Sequence, residues 1–341
     1  MAFTRNYNSS MRLLDNGNLG YGWSNNYTYF ADISDSDVTI IMPGGGFMAF
    51  YMEANGSGWS AKEGNLYSLS GDPESGIVLT DNQGKYIYFD SEGHGTRVVE
   101  ADGTVTELSY DGDHLTKVTT DTGSFTFTYN GDHIATLTDS VGRTVTYEYT
   151  GDDLTKVTNP DGDTLLYAYD DDHRLLTVTD FNGSVMVENT YNEDNKVVSQ
   201  YTPERGTTTF AYDTDTKTNT STHESGQVTT LVYDDNYLIT SQTDNAGTIS
   251  YTYDDLFRKT SETDRNGNTT SYTYVGDTGN IASITYPNGT TETYTYNDNY
   301  QVTGITQKDG TGLTYEYNDQ GKVTKSTDAR GGVTTYAYDG K

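Results

Sequence analysis

The sequence predicts an all-β fold: an array of repeated antiparallel β-hairpins joined into one continuous, curled or spiral sheet. Three observations predict it. A Tyr-x-Tyr-Asp phrase recurs along the chain, its second aromatic falling at Phe89, Tyr110, Tyr129, Tyr149, Tyr169, Tyr191, Tyr212, Tyr233, Tyr253, Tyr274, Tyr296, Tyr317 and Tyr338, in steps of 19 to 22 residues. A fixed period of that size marks identical supersecondary units set side by side. The composition agrees: of 341 residues 31 are Tyr, only 5 are Pro and 13% are aromatic, which suits pleated, half-buried surfaces. Finally, Asp, Asn and Gly clusters punctuate the Tyr-, Thr- and Val-rich runs at regular intervals, as turns do between short strands.

One unit shows how each element arises. In Tyr147-Glu148-Tyr149-Thr150-Gly151-Asp152-Asp153-Leu154-Thr155-Lys156-Val157-Thr158-Asn159-Pro160-Asp161-Gly162, the two tyrosines at i and i+2 share a strand face because strand side chains alternate. Turn formers follow, then a Thr/Val-rich run, then a second turn. Elsewhere that second turn reads Thr-Asp-x-x-Gly, as at Thr138 to Gly142, Thr263 to Gly267 and Thr327 to Gly331. Each unit is therefore a hairpin of two strands, each of roughly six residues.

An apolar pair follows the first turn at a spacing of three: Leu115/Val118, Ile134/Leu137, Leu154/Val157, Leu175/Val178, Ile281/Ile284 and Val302/Ile305. Three is out of phase with the strand period of two, so a bulge or extended turn is expected there to bring both residues to one face. The unit at Tyr212 departs from its siblings. It runs Asp213-Thr214-Asp215-Thr216-Lys217 without the usual Gly-Arg-Leu element and reads as a local irregularity.

A single hairpin is marginal in water, so the units must pair edge to edge, bringing tyrosine beside tyrosine in ladders. Tyr110, Tyr129, Tyr149, Tyr169, Tyr191, Tyr212, Tyr233, Tyr253, Tyr274, Tyr296, Tyr317 and Tyr338 are the expected repeat-packing residues. The right-handed twist of strands would curl so long a sheet. Leucine-rich, calcium-nonapeptide and propeller-blade patterns are absent. Residues 1–84 are expected to form an N-terminal β-module, and residues 85–341 the array of about twelve hairpins.

The charge narrows the function classes. The formal net charge is −30, spread along the chain rather than gathered in a tail, and it repels nucleic acid and anionic membranes. Neither a nucleic-acid partner nor membrane insertion is expected. With no cysteine, disulfides, zinc–thiolate sites and thiol nucleophiles are ruled out. No stretch of about 18 apolar residues stands out as a membrane span. Both ends read as cuts in a longer protein.

The phrase Tyr315-Glu316-Tyr317-Asn318-Asp319-Gln320-Gly321-Lys322-Val323 resembles the YD repeat of Rhs (rearrangement hotspot) proteins. The segment Arg5-Asn6-Tyr7-Asn8-Ser9, followed by Gly17-Asn18-Leu19-Gly20-Tyr21-Gly22-Trp23-Ser24-Asn25-Asn26-Tyr27, resembles the module that precedes Rhs repeats. In that module Arg5, Tyr7, Gly20, Gly22 and Trp23 carry the likeness. The resemblance implies a non-catalytic β-shell or stalk of a secreted or cell-surface protein. Its partners would be further repeats or a C-terminal cargo or toxin domain that the shell encloses. Family shells end in an aspartate-containing self-cleavage segment, and no residue here matches it.

Catalytic and binding readings are weaker. His114, His133 and His173 share one repeat position, where solvated turn residues or a metal ladder along the sheet are the alternatives; Asp153 interrupts the series, and no zinc spacing appears. The Asp-rich turns match no EF-hand phrase, leaving no cofactor beyond weak Ca²⁺ association. Gly44-Gly45-Gly46 reads as a hairpin turn rather than a phosphate cradle. No unit carries an odd acid that its siblings lack, so an enzyme is not expected. The alternative function is a surface adhesin whose exposed Tyr rows bind carbohydrate or a cell-surface protein.

Overall fold

The computed structural model describes all residues except 16–17, 35, 44–45, 53–57, 62–66, 82–83, 319–320 and 339–341. Among the described residues there is no α-helix, only one 3₁₀ turn at Ser9–Met11. The repeats form one antiparallel sheet of 27 strands, running in sequence order from Ser68–Asp72 to Val333–Thr335. Two smaller sheets precede it. One pairs Arg5–Tyr7 with Trp23–Asn25, and the other has four strands between Phe30 and Ala61.

The sequential order follows from the turns. Each connection is a short turn, which forces antiparallel neighbours. The sheet curls without closing. Its coil brings the turn at Asp102–Gly103 beside the start of strand Val323–Thr327: a Cβ on Gly103 would stand 3.5 Å from the Lys322 Cε.

The expected bulge is present. Tyr110 pairs with Leu115 and Ser109 with Lys117, so Thr116 is skipped and Leu108 meets Val118. The same shift precedes Tyr129, Tyr149, Tyr169, Tyr191, Tyr233, Tyr253, Tyr274, Tyr296 and Tyr317. The extra residue changes the phase of the strand, so Leu154 and Val157 are both buried on the face of Tyr147. The Tyr212 hairpin is the exception, pairing in unbroken register from Thr208↔His223 to Asp213↔Thr218. Strands Asp37–Met42 and Gly46–Met52 pair with Met42 opposite Gly46; Gly44 and Gly45 lie outside the described residues.

Burial divides the array. Every fully buried apolar side chain lies at or before Leu175 among the described residues. The reason is the N-terminal segment, which lies on the tyrosine face of the early repeats. Phe3 packs on Phe125 and Phe127, and Arg5 over the ring of Tyr147. From Val185 onward no apolar side chain among the described residues is buried, although Ser9 and Ser10 of the N-terminal segment still reach the cleft beside Tyr212 and Tyr233.

Candidate functional site

The features that recur along the sheet are the candidate site: the tyrosine ladder, the turns beside it and the N-terminal segment docked across them.

The second tyrosine of nearly every unit donates its hydroxyl to a backbone carbonyl of the preceding unit, 14 to 16 residues earlier. Tyr129 reaches Leu115 O at 2.9 Å, Tyr149 reaches Ile134 O, Tyr169 reaches Leu154 O and Tyr191 reaches Leu175 O. Tyr212, Tyr253, Tyr274, Tyr296, Tyr317 and Tyr338 repeat the bond onto Val197, Ile239, Lys259, Ile281, Val302 and Val323. The acceptor is always the residue beside the bulge, so the bulge and the ladder position one another. Tyr233 differs: its hydroxyl accepts from Asn219 Nδ2 at 3.3 Å instead. Tyr110 stacks against His94 with ring centroids 4.6 Å apart.

Burial pushes four of these phenols well up. Tyr191 is raised to about 12, and Tyr129, Tyr149 and Tyr169 rise further for the same reason. The raised values favour the neutral form in the fold, so the stability they contribute is present below about pH 10, the ordinary tyrosine value, and lost as pH rises through it toward the folded value. In an alkaline titration followed at 295 nm, a fraction of the tyrosines should ionise only together with loss of the β-sheet circular dichroism. Complete ionisation near pH 10 with the sheet intact would contradict this.

Removing one rung should be measurable. Tyr149→Phe is expected to cost about 0.5–1.5 kcal/mol, the net value of one hydrogen bond. Tyr233→Phe, which has no carbonyl partner, should cost less. Urea midpoints of the two variants decide it, and equal losses would count against the ladder.

A second ring of contacts covers the tyrosines. His94, His114 and His133 stack on Tyr110, Tyr129 and Tyr149, with ring centroids 4.6, 4.1 and 4.6 Å apart. In later units a cation takes the place: Arg174 over Tyr191, Lys196 over Tyr212, Arg258 over Tyr274 and Lys322 over Tyr338. His173 lies one residue earlier in its turn and hydrogen-bonds Asp153 at 3.0 Å. Among the described residues no group of three or more His, Asp or Glu side chains is arranged to hold a metal.

The acids serve the turns. Asp254 Oδ1 accepts from the N–H groups of Leu256 and Arg258, and Asp170, Asp234 and Asp264 do the same in their units. These Asx turns close the loops locally. The Asn268 side chain and the turn N–H groups hold the Asp264 carboxyl below its usual value.

The N-terminal module residues converge on these turns. Tyr7 donates its hydroxyl to His173 O at 2.7 Å and accepts from the Leu175 N–H at 3.0 Å. Trp23 Nε1 donates to the Tyr169 hydroxyl at 2.8 Å, and its ring meets Tyr167 edge-on. The Tyr21 N–H bonds Asp152 O, and the Ile134 N–H bonds Asn18 O. Gly20, at φ +86°, has no room for a side chain: a Cβ there would stand 2.2 Å from Asp152 O. Gly22 abuts the Tyr7 ring in the same way. Sequence reasoning missed both this docking and the ring-capping cations. The basic residue five places after Tyr169, Tyr191, Tyr253 and Tyr317 was the available signal for the latter.

Residues 149–185, 259–291, 277–311 and 317–341 match the RHS Repeat family. A search of curated proteins finds no match. The chain is similar in fold to the crystal structure of TcdB2-TccC3-Cdc42, at 15% identity and TM-score 0.52, covering 89% of this chain and 18% of that one. It is similar to the crystal structure of TcdB2-TccC3 without the hypervariable C-terminal region, at 16% identity and TM-score 0.51, covering 86% and 18%. The chain thus spans about a fifth of the length of the structures it resembles.

Proposed function

We propose that this chain, which matches the RHS Repeat family over residues 149–185, 259–291, 277–311 and 317–341, serves as a non-catalytic wall segment of a secreted or cell-surface shell. One observation carries the reading: 27 successive strands form one sheet whose neighbouring units are tied by tyrosine hydroxyls to the carbonyls of the unit before. Such repetition produces an extended wall with the same interaction at every step. On this reading residues 1–84 act as the N-terminal module that fills and starts the wall. The half-lined inner face after Val185 is the surface that further repeats or an enclosed C-terminal cargo would meet. The secreted setting follows the family resemblance.

Adhesion through rows of outward tyrosines is supported less well, because the ladder phenols are half-buried and hydrogen-bonded.

Proteolysis tests the proposal. The purified chain, extended at its C-terminus by an unstructured reporter peptide, is digested with chymotrypsin. A braced wall should persist as one large resistant core, and an enclosing wall should slow cleavage of the reporter. Stepwise loss of repeat-sized pieces would defeat the wall reading. Survival of the core with the reporter cut at its free rate would defeat enclosure alone.

A further inference from the structure

We propose that Arg5, together with the hydroxyls of Tyr147 and Tyr167, forms a carboxylate-binding site on the inner face of the early repeats. Arg5 opens the strand Arg5–Tyr7, and its guanidinium carbon stands 5.6 Å from the centroid of the Tyr147 ring. The same guanidinium acts on the hydroxyls of both Tyr147 and Tyr167. What it does not meet is an acid. Arg97, Arg143, Arg174, Arg258 and Arg265 each pair with an aspartate or a glutamate. Among the described residues no carboxylate pairs with Arg5, although the chain holds 50 acids against 20 Lys and Arg.

Two buried polar atoms are left over at this place. Arg5 Nε and the Tyr147 hydroxyl have no hydrogen-bond partner, and Tyr147 is only 5% exposed. A polar atom taken out of water without a partner is costly, and a charge without a counter-charge more so. The Tyr147 ring offsets part of that through its face. It does not accept the in-plane N–H groups, whose fork matches the two oxygens of a carboxylate. Burial pushes the Tyr147 phenol up while Arg5 draws it back, so near neutral pH the phenol is an uncharged O–H donor. One guanidinium and two phenols therefore converge with no acceptor among them. Arg5 keeps partial exposure, which leaves an acid a way in.

The surroundings select the kind of anion. There is a single cation here, and the chain as a whole carries −30, a field that opposes multiply charged anions such as phosphate. A carboxylate brings one charge and the planar geometry that a guanidinium binds with two parallel bonds. Two sources offer this group: an acidic side chain of a peptide held against the inner face, and a free organic acid. Arg5 belongs to the N-terminal segment and both phenols to the repeats, so a bound carboxylate also ties the segment to the sheet. The site stands on these residues alone and does not rest on the wall reading.

NMR of the arginine Nε–Hε groups tests this on the full chain. The labelled protein is titrated with sodium acetate and, separately, with the peptides acetyl-Gly-Asp-Gly-amide and acetyl-Gly-Asn-Gly-amide, at ionic strength fixed with sodium chloride. One Nε–Hε signal, identified by its loss in Arg5→Met, should move along a saturable curve with half-saturation at about 10 mM or below. The asparagine peptide should leave it in place. Tighter binding of the aspartate peptide than of acetate assigns a peptide source, and equal or weaker binding a free acid. Arg5→Met should keep or raise the thermal midpoint, because an unpaired charge gives way to an apolar chain. Tyr147→Phe should weaken acetate binding about threefold or more, the share of one hydrogen bond. No saturable shift with acetate or the aspartate peptide overturns the proposal. So does unchanged affinity in Tyr147→Phe, or a lowered midpoint in Arg5→Met, which would make the guanidinium a brace for the fold alone.

Discussion

Replacing Trp23 with alanine is expected to lower stability by about 3–5 kcal/mol, the usual loss for truncating a buried large aromatic. Trp23 is 6% exposed. Its ring packs on Tyr7 and Tyr167, with centroids 5.5 and 5.1 Å away, and its N–H is bonded to the Tyr169 hydroxyl. The variant loses packing and leaves that hydroxyl short of a donor. The loss should also be regional. Repeats that contact only their neighbours unfold in a partly independent way, so the repeats under the N-terminal segment should soften while residues after Tyr253 stay as protected as before. Hydrogen exchange read peptide by peptide measures this. A uniform loss of protection, or a change under about 1 kcal/mol, would show that Trp23 does not hold the segment in place.

The second large effect is at Gly20. Gly20→Ala should cost about 2–5 kcal/mol, combining the strain of a left-handed backbone with overpacking against the Asp152 carbonyl. Gly142→Ala is the matched control. It has nearly the same φ, +89° against +86°, but nothing within 4 Å of its Cβ, so it should lose only about 1–2 kcal/mol from strain. The difference between the two urea midpoints isolates the docking contact, and equal midpoints would refute it.

The hairpins and their bulges were legible in the sequence because both are local arithmetic. Tyrosines two apart share a face. An apolar pair three apart, such as Leu154 and Val157, cannot do so in a regular strand, and the skipped residue resolves the conflict. The break at Tyr212 was visible for the same reason, as a missing turn element. What the break creates was not visible, because a cleft depends on which side chains of two adjacent hairpins and of the distant Ser9–Met11 turn come together.

The shared histidine position shows the same division. Sequence alone presents His114 and His133 as equivalent members of a row, equally suited to solvent or to a metal. In three dimensions each ring meets the tyrosine of the next unit, and His133 also approaches Asp15 at 3.2 Å, from a segment more than a hundred residues away.

By itself the sequence determined the period, the strand and turn chemistry and the all-β class, since these follow from alternation, turn propensity and repetition over a few residues. Only the tertiary structure decided that each repeat tyrosine bonds the carbonyl of the unit before. It also decided that the N-terminal segment lies on the inner face of the early repeats, and that one irregular repeat opens into a cleft. The physical reason is that curl and twist accumulate over many strands, so the neighbours they create lie 14 to 168 residues apart, beyond the reach of any local pattern.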